Sequence, residues 1–294
     1  MIGHSWVASG ITFDLTRVAA DSPAPEVVLL NEGVEGMGNP PHAAFTRETA
    51  LLDGQSNSGW RAKPREVFWP VLVDATVETW DDIQSRFWRT MRPNLFGVWT
   101  VTKGESSRYL NCRYLSDGGA AYASDPSLSG AEVHGITLVA DDPWWHSADV
   151  SATFQTAETP VDFFNGGTAP DFYIMSGNTV DSASLDNPGD VPAWATYRID
   201  GPATSFSITT DSSEPDVAGD IVLLEGEWLV IDTNPTAQTA FLYTTESNYT
   251  DVTGELSAYN PRQVGVGLET EFSVTLFGEG SLTITLTPSY FRAF

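Results

Sequence analysis

The sequence predicts an all-β protein of two domains with a single helix in its first half. Along much of the chain, apolar residues alternate with Ser and Thr, which places one face of each strand in a core and the other in water. Short apolar segments recur between Gly, Pro, Asn and Asp turns, as in antiparallel sandwiches. The length of 294 residues exceeds the usual size of one domain.

Residues 1–150 form the first predicted domain, a strand-rich β-sandwich or barrel-like body with one helix packed on it. Alternation predicts strands at residues 26–30, 67–73, 96–102, 108–115 and 133–140. Between the first two of these strands, residues 31–66 are rich in Gly, Pro and polar side chains. We expect this segment to form long loops or an arm that reaches away from the body.

The helix is predicted near residues 79–92, where apolar residues recur at helical spacing. One face of a 3.6-residue helix gathers Trp80, Ile83, Phe87, Trp88 and Met91. Thr79 and Asp82 have the spacing of a capping box. Pro93 is expected to stop the helix.

Residues 151–294 form the second predicted domain, an antiparallel sandwich. Strands are expected at residues 194–200, 205–210 and 239–244. Residues 272–286 alternate on both sides of a Gly-rich turn and predict a hairpin. A second hairpin is predicted over residues 221–231, whose unbroken apolar runs indicate burial on both faces. The Gly- and Pro-rich segment 146–192 places the domain junction near its beginning.

Acidic residues dominate the composition, with 39 against 14 basic residues and a net charge of −25. Residues 1–150 hold 11 basic and 19 acidic side chains, whereas residues 151–294 hold 3 and 20. Such a surface repels phosphate backbones and anionic lipids, so we expect no stable nucleic-acid binding. The lone Cys112 forms no internal disulfide, and no segment resembles an export signal or membrane span. Folding in a reducing cytoplasm is therefore expected.

No catalytic, cofactor-binding or metal-binding residue is predicted. The four histidines are dispersed, and no nucleophile, phosphate-binding or zinc motif occurs. The acidic pair Asp81–Asp82 suits the start of a helix, and Asp141–Asp142 precedes a Pro turn. A glycosidase built on such carboxylates, and a calcium site in the acidic loop 211–216, are the alternatives. Exposed tryptophans such as Trp60 also leave carbohydrate binding open.

Several motifs, in their order along the chain, resemble siphophage distal tail proteins. In the first half the resemblance rests on Arg65–Val73, the Trp80–Met91 helix, Arg92–Gly97, Trp99–Thr102, Arg108–Arg113 and Leu138–Trp145. In the second half it rests on Asn187–Ala193, Ile199–Pro202 and Trp228–Thr233, which are similar to the accessory β-sandwich of that family. The resemblance covers nearly the whole chain.

This resemblance implies a non-enzymatic virion protein that is assembled in the host cytoplasm. The first domain is expected to form a ring of six copies at the distal end of a phage tail, and the second to be a galectin-like sandwich that projects outward. Expected partners are the tail tube protein, the tail hub or tip proteins and the tape measure protein. Acidic side chains lining the ring channel would let DNA pass without sticking.

We predict that the subunit interface includes Arg86, Arg89, Trp60, Arg65 and Trp69. The alternative for the two helix arginines is that they are solvent-exposed partners of the helix dipole. Two other functions compete with the ring. One is a carbohydrate-binding adhesion module at the tail tip, acting on host cell-wall saccharide through a shallow aromatic groove on the second domain. The other is a glycoside hydrolase.

Overall fold

A computed structural model places most of the chain in two units. It describes residues 2–16, 26–30, 32–49, 53–74, 79–118, 125–155, 178–210, 214–267 and 269–294. Unit 1 comprises Met1–Ala148 together with Ser289–Phe294, and unit 2 comprises Asp149–Pro288.

Unit 1 is built mainly from antiparallel strands. They are β1 (Ile2–Ala8), β2 (Ile11–Asp14), β3 (Val27–Leu29), β4 (His42–Arg47), β5 (Ser56–Ala62), β6 (Arg65–Asp74), β7 (Phe96–Lys103), β8 (Ser106–Asp117), β9 (Ala131–Ala140) and β10 (Trp145–His146). Helix α1 spans Trp80–Trp88, and a single-turn helix, α2, which the sequence did not predict, spans Pro126–Ser129.

Unit 2 consists almost entirely of strands, and the chain then returns to unit 1. The strands of unit 2 are β11 (Val150–Gln155), β12 (Asn178–Asp186), β13 (Ala195–Asp200), β14 (Ala203–Thr210), β15 (Val217–Gly219), β16 (Trp228–Asp232), β17 (Thr239–Thr245), β18 (Asn248–Asp251), β19 (Leu256–Tyr259), β20 (Glu269–Gly278) and β21 (Ser281–Leu286). A 3₁₀ turn spans Thr253–Glu255, and the returning strand is β22 (Ser289–Tyr290). The all-β prediction is confirmed.

The main sheet of unit 1 curls into a nearly closed barrel. Its strand order is β2-β1-β7-β8-β9-β6-β3. Leu15, just after β2, donates its backbone N–H to His4 O at 2.9 Å. The carbonyl of Leu15 accepts a hydrogen bond from the N–H of Leu29 on β3 at 3.0 Å. The two end strands therefore meet, so that few backbone groups are left open at the sheet edges.

Aromatic rings fill the interior of the barrel. Trp6, Trp69, Trp99 and Trp145 are fully buried. Successive ring pairs along this series lie 5.2, 5.2 and 4.9 Å apart in edge-to-face geometry. A Cβ on Gly97 would lie 2.2 Å from the Trp6 ring, so glycine is required at that position for the ring to cross β7.

Helix α1 is shorter than the sequence predicts. Ile83 and Phe87 face the core as expected, but Thr79 makes no side-chain cap, so the capping-box prediction is wrong. The helix ends at Trp88, before Pro93, and the side chain of Thr90 bonds back to its last turn. The Thr90 hydroxyl donates to Phe87 O at 2.7 Å and accepts a hydrogen bond from Trp6 Nε1 at 3.0 Å. This pair of bonds fixes the helix end on the barrel core.

Unit 2 is a sandwich of two antiparallel sheets. One sheet has the strand order β11-β21-β13-β16-β17-β18, and the other has the order β12-β20-β14-β15-β19. Inward side chains of both sheets belong to one aliphatic and aromatic core, for example Ile199 and Ile231 from the first sheet and Ile208 and Val274 from the second.

Both hairpins predicted for the second domain are wrong. Strands β20 and β21 are connected by a Gly-rich turn, but they belong to different sheets and do not pair. A Cβ on Gly280 would lie 2.1 Å from Asp200 O. The turn therefore lies too close to the backbone of Asp200 for any residue other than glycine. Residues 221–224 form no strand. Leu223 makes only an isolated bridge to Ala203, while Val222 and Leu224 are exposed.

The end of the chain differs from the expected boundary of the second domain at residues 151–294. Strand β22 pairs with β10 in unit 1 through Trp145 opposite Tyr290 and His146 opposite Ser289. Arg108 stacks over the Tyr290 ring at 3.6 Å and donates to Arg292 O at 2.8 Å. These contacts explain why the last residues, 289–294, belong to unit 1.

Candidate assembly surface

Unit 1 carries a hairpin that is separate from its barrel. Strands β4 and β5 fall within the segment expected to be loops or an arm, and among the described residues they pair only with each other. Their side chains are mostly exposed. Because no other described strand lies beside either of them, both outer edges offer backbone donors and acceptors to which a strand of another chain can add.

An aromatic cavity lies at the root of this hairpin. Trp60 on β5 is 49% exposed, and its ring centroid lies 6.1 Å from His42, 6.3 Å from Trp144 and 6.0 Å from Phe291. The cavity has a volume of about 320 Å³ and is lined by Asn39, Pro40, His42, Ala44, Asn57, Trp60 and Phe291. The exposure predicted for Trp60 is observed. The cavity has the size of a small ligand pocket and can receive a bulky side chain.

Sequence reasoning identified Trp60 but missed Trp144 and Phe291. A signal existed for Trp144: because Trp145 points into the core, alternation along an extended segment turns its neighbour outward. Phe291 had no comparable signal, since it reaches the cavity only through the long-range pairing of β22 with β10.

Arg65 lies inside unit 1, where it holds the root of the hairpin. It is 1% exposed, and its Nε donates to Pro143 O at 2.8 Å. One terminal nitrogen, Nη1, donates to Gly36 O at 2.6 Å and to Gly38 O, and the other, Nη2, donates to Phe291 O at 2.9 Å. Burial lowers the pKa of the Arg65 guanidinium to about 10, so it stays charged at neutral pH.

The carbonyl cage around Arg65 changes the interface prediction. No carboxylate pairs with Arg65 in the described part of the chain, and its donors are used by backbone carbonyls of three separate segments. Trp69 is fully buried among the barrel tryptophans. Neither side chain reaches the surface, and the prediction that they lie at a subunit interface is corrected on that ground.

The two helix arginines have different surroundings. Arg86 forms an ion pair with Glu26 and lies 5.3 Å from the Phe13 ring centroid, so it is used within its own unit. Arg89 is exposed at the end of α1, and its guanidinium makes no ion pair with any described residue. Of the pair, Arg89 is therefore the cation left available for another molecule.

Exposed apolar side chains are concentrated in unit 1. Among the described residues, nine large apolar side chains are exposed in unit 1 and five in unit 2. Those of unit 1 are Ile2, Val7, Phe45, Trp60, Phe96, Leu115, Leu128, Val133 and Phe294. A contiguous apolar patch, rather than single exposed residues, marks a surface that another chain covers, and Phe45 and Trp60 share the β4–β5 hairpin.

The carboxylates considered for catalysis lie apart on the surface. Asp81 and Asp82 occupy the exposed first turn of α1. Asp141 accepts hydrogen bonds of 2.8 and 3.0 Å from Arg113, which lower the pKa of that carboxyl. Asp142 lies 3.1 Å from His146. Asp141 and Asp142 thus have local partners, and Asp81 and Asp82 lie where the helix dipole favours negative charge.

The acidic loop considered for calcium is only partly described. Residues 211–213 lie outside the described residues. Asp216 is buried, accepts the Thr210 N–H at 2.6 Å and pairs with Arg262 at 3.2 Å. Within the described ranges, no three His, Cys, Asp or Glu side chains form a metal-ligand group. The described helices also include none long and apolar enough to cross a bilayer.

Comparison with known proteins relates this fold to phage tail components. No protein-family profile and no curated protein matches the sequence. The Dit protein of phage SPP1, presented as a paradigm of the hub adsorption apparatus in phages that infect Gram-positive bacteria, is 16% identical with a TM-score of 0.63. The alignment covers 97% of this chain and 98% of that chain.

Two structures of the phage P2 baseplate in its activated conformation are also similar. The structure with calcium gives a TM-score of 0.59 and the structure with strontium gives 0.57, each at 8% identity. Each alignment covers 98% of both chains. At these identities the likeness establishes the fold alone, but it extends over both units. The chain therefore shares the two-unit, all-β fold of SPP1 Dit.

Proposed function

We propose that this protein is a structural, non-enzymatic subunit of a phage virion, forming a ring of six copies at the distal end of the tail. The observation that carries the proposal is the shared fold with SPP1 Dit over 97% of this chain and 98% of that chain. Because both units align, the likeness reaches beyond a common single-domain barrel. Unit 2 is then the galectin-like sandwich that projects from the ring.

The ring contact is formed by the β4–β5 hairpin and the cavity at its root. The hairpin offers two unpaired edges, and the Trp60 cavity can receive an apolar side chain of the next subunit. Closure of a ring satisfies every such edge with the same contact, leaving none open. Arg89 meets an acidic surface on the neighbour, which a chain of net charge −25 offers abundantly.

The same ring connects several tail components. Its partners are the tail tube protein on one side, hub or tip proteins on the other, and the tape measure protein in the channel. Six acidic copies make the assembly strongly negative, so carboxylates in the channel repel DNA and allow its passage. The protein acts in the virion, after assembly in the host cytoplasm.

Mass measurement of the purified chain tests the ring. Six subunits of 31.9 kDa give about 191 kDa. Replacing residues 42–62 by a short Gly-Ser turn is expected to leave single subunits, because both the edges and the cavity are lost. Trp60→Ala is expected to weaken the ring by about tenfold or more in dissociation constant. A wild-type chain that runs only as single subunits at micromolar concentration would refute the ring.

A matched pair of charge reversals tests the role of the helix. Arg89→Glu is expected to weaken the ring, whereas Arg86→Glu disrupts the contact with Glu26 inside one subunit. Equal ring mass for wild type and Arg89→Glu would remove Arg89 from the interface.

Adhesion to a host saccharide is a second candidate function. One observation in unit 2 favours it: a row of aromatic side chains, Trp228, Tyr243 and Tyr249, on the outer face of a sheet.

A further inference from the structure

The six-stranded sheet of unit 2 has an outer face of unusual composition. Alternation along β16 sends Leu229 and Ile231 into the core and leaves Trp228 and Val230 on the opposite face. On the neighbouring strands the pairing places Tyr243 opposite Trp228, and Tyr249 opposite Tyr243. Three aromatic residues therefore stand side by side across three adjacent strands.

The three rings form a continuous row. The Trp228 and Tyr243 centroids lie 5.4 Å apart with an interplanar angle of 1°, and those of Tyr243 and Tyr249 lie 5.4 Å apart at 41°. Phe241 supports the outer ring from the side, 5.1 Å from Tyr249. With strands about 4.8 Å apart, the row spans roughly 10 Å.

The members of the row have different roles. Trp228 lies between two partners, because the Arg198 guanidinium is 5.0 Å from its ring and Tyr243 stacks on it from the other neighbouring strand. Tyr249, on the edge strand β18, is 57% exposed. Trp228 and Tyr243 thus hold the row in place, and Tyr249 presents an aromatic surface to solvent.

Polar groups flank the row on the same face. Arg198 is held by Asp200 through hydrogen bonds of 2.7 to 3.2 Å. Farther along the same face, the hydroxyls of Thr153 on β11 and Thr283 on β21 lie 3.1 Å apart. Carboxylate, guanidinium and hydroxyl groups beside fixed aromatic rings supply both donors and acceptors for a polyhydroxylated ligand.

Charge and composition restrict what this face can bind. Residues 151–294 carry 20 acidic and only 3 basic side chains, so polyanions such as nucleic acids or phosphate-rich polymers are repelled. A stable protein contact needs about 800 Å² on each partner with an apolar centre. Away from the aromatic row this face carries Ser and Thr, for example Ser151 and Thr285 on paired strands.

We propose that the outer face of this sheet binds a neutral saccharide, with Tyr249 as the stacking ring and Arg198 and Asp200 as hydrogen-bonding groups. The row spans roughly 10 Å and Arg198 lies beyond its Trp228 end, so the ligand is an oligosaccharide. The apolar C–H face of one sugar ring packs on Tyr249, and the hydroxyl groups of a later sugar unit reach Arg198 and Asp200. The proposal does not depend on the ring of subunits, since every residue in it belongs to unit 2.

A glycan microarray carrying neutral and anionic oligosaccharides, probed with the full chain, tests this proposal. We expect retention on a subset of neutral glycans and on none that is uniformly anionic. Tyr249→Ala is expected to weaken that binding by about tenfold, the loss typical of one aromatic packing contact. Phe277→Ala, which removes a comparably exposed ring from the other sheet, is the matched control and should bind as wild type.

Several results would overturn the proposal. They are the absence of binding to every neutral glycan, binding confined to anionic glycans, and equal binding by wild type and Tyr249→Ala. If Tyr249→Ala lost incorporation into tails but kept its glycan binding, the face would be a protein contact instead. Circular dichroism of Tyr249→Ala separates loss of binding from loss of folding, and mass measurement separates it from loss of the ring.

Discussion

The two units are built from similar strands but differ in what they bury and what they expose. Unit 1 buries four tryptophans and an arginine whose charge is met by backbone carbonyls. Unit 2 has no fully buried tryptophan among its described residues and packs mainly aliphatic side chains between two sheets. On the outside, unit 1 has more exposed apolar side chains and a separate hairpin, whereas unit 2 is strongly acidic.

This difference indicates a division of labour within one chain. A two-stranded hairpin that pairs with no further strand is only marginally stable by itself, and it gains stability when another chain pairs with it. A compact sandwich with a polar surface tolerates contact with solvent. The two units also have separate hydrophobic cores. A substitution in one unit should therefore change mainly the stability of that unit, which the following experiments test.

Removal of a buried ring should have the largest effect. Trp99 contacts Trp69 and Trp145 at 5.2 and 4.9 Å. Trp99→Ala leaves a cavity in the barrel, and we expect it to lower the free energy of unfolding of unit 1 by about 3–5 kcal/mol. Hydrogen exchange should speed up in β1 and β7 but not in β13 and β16. Equal loosening of both units would show that they unfold together.

Loss of the buried guanidinium should come next. Arg65→Met keeps the length of the side chain but removes the donors to the carbonyls of Gly38, Pro143 and Phe291. The Gly36 carbonyl loses one of its two donors and keeps Trp145 Nε1 at 3.4 Å. We expect a loss of about 2–4 kcal/mol, measured by urea unfolding. Arg65→Lys should rescue this only in part, because an ammonium group cannot reach all four carbonyls. Unchanged stability of Arg65→Met would mean that the cage is dispensable.

Acid should destabilise unit 1 selectively. Burial lowers the pKa of His4 and of His134 below the ordinary value of about 6.5, so the unfolded chain takes up protons at a higher pH than the folded unit. The stability that unit 1 owes to these two neutral histidines is fully present above a pH of about 6.5 and is lost progressively as the pH falls below that value. All four histidines of the chain lie in unit 1.

Thermal melts at pH 7.5 and pH 5.5, followed by hydrogen exchange, measure this effect. We expect the transition of unit 1 to fall by about a few degrees more than that of unit 2. His4→Phe should reduce the difference. A larger acid loss in unit 2 would contradict the assignment.

Removal of unit 2 should have the smallest effect on unit 1. His146 and Ser289 are direct partners in the pairing of β10 with β22, so a short Asn-Gly turn can replace residues 149–288. The shortened chain is expected to keep a folded barrel with a change in unit 1 stability of about 1 kcal/mol or less. A shortened chain that is insoluble, or that shows no cooperative melt, would show that the barrel depends on the inserted sandwich.

Much of the strand pattern could be predicted from sequence, because alternation reports directly which side of a strand is buried. In β6, Val67, Trp69, Val71 and Val73 all face the core, as their spacing indicates. The same signal says nothing about which strand lies alongside. β20 and β21 have the pattern of a hairpin but join opposite sheets, because the Gly-rich turn between them allows either connection.

The candidate surface was harder to predict, because alternation does not show which distant segments of the chain come together. Trp60 could be identified as exposed, since it stands in a Gly-rich and polar segment. The alternation of β6 already indicates that Trp69 is buried. For Arg65 the same alternation is outweighed by the charge, because an arginine at a strand end is usually solvated. Only the long-range approach of Gly36, Pro143 and Phe291 supplies the carbonyls that permit burial of Arg65.

The return of the chain through β22 has a consequence for how such proteins diversify. The sandwich begins and ends at two points that are hydrogen-bonded neighbours, His146 and Ser289. The DNA that encodes residues 149–288 can therefore be exchanged for that of another module while the pairing of β10 with β22 is kept. Related chains can in this way differ in the module between β10 and β22 while keeping the same barrel.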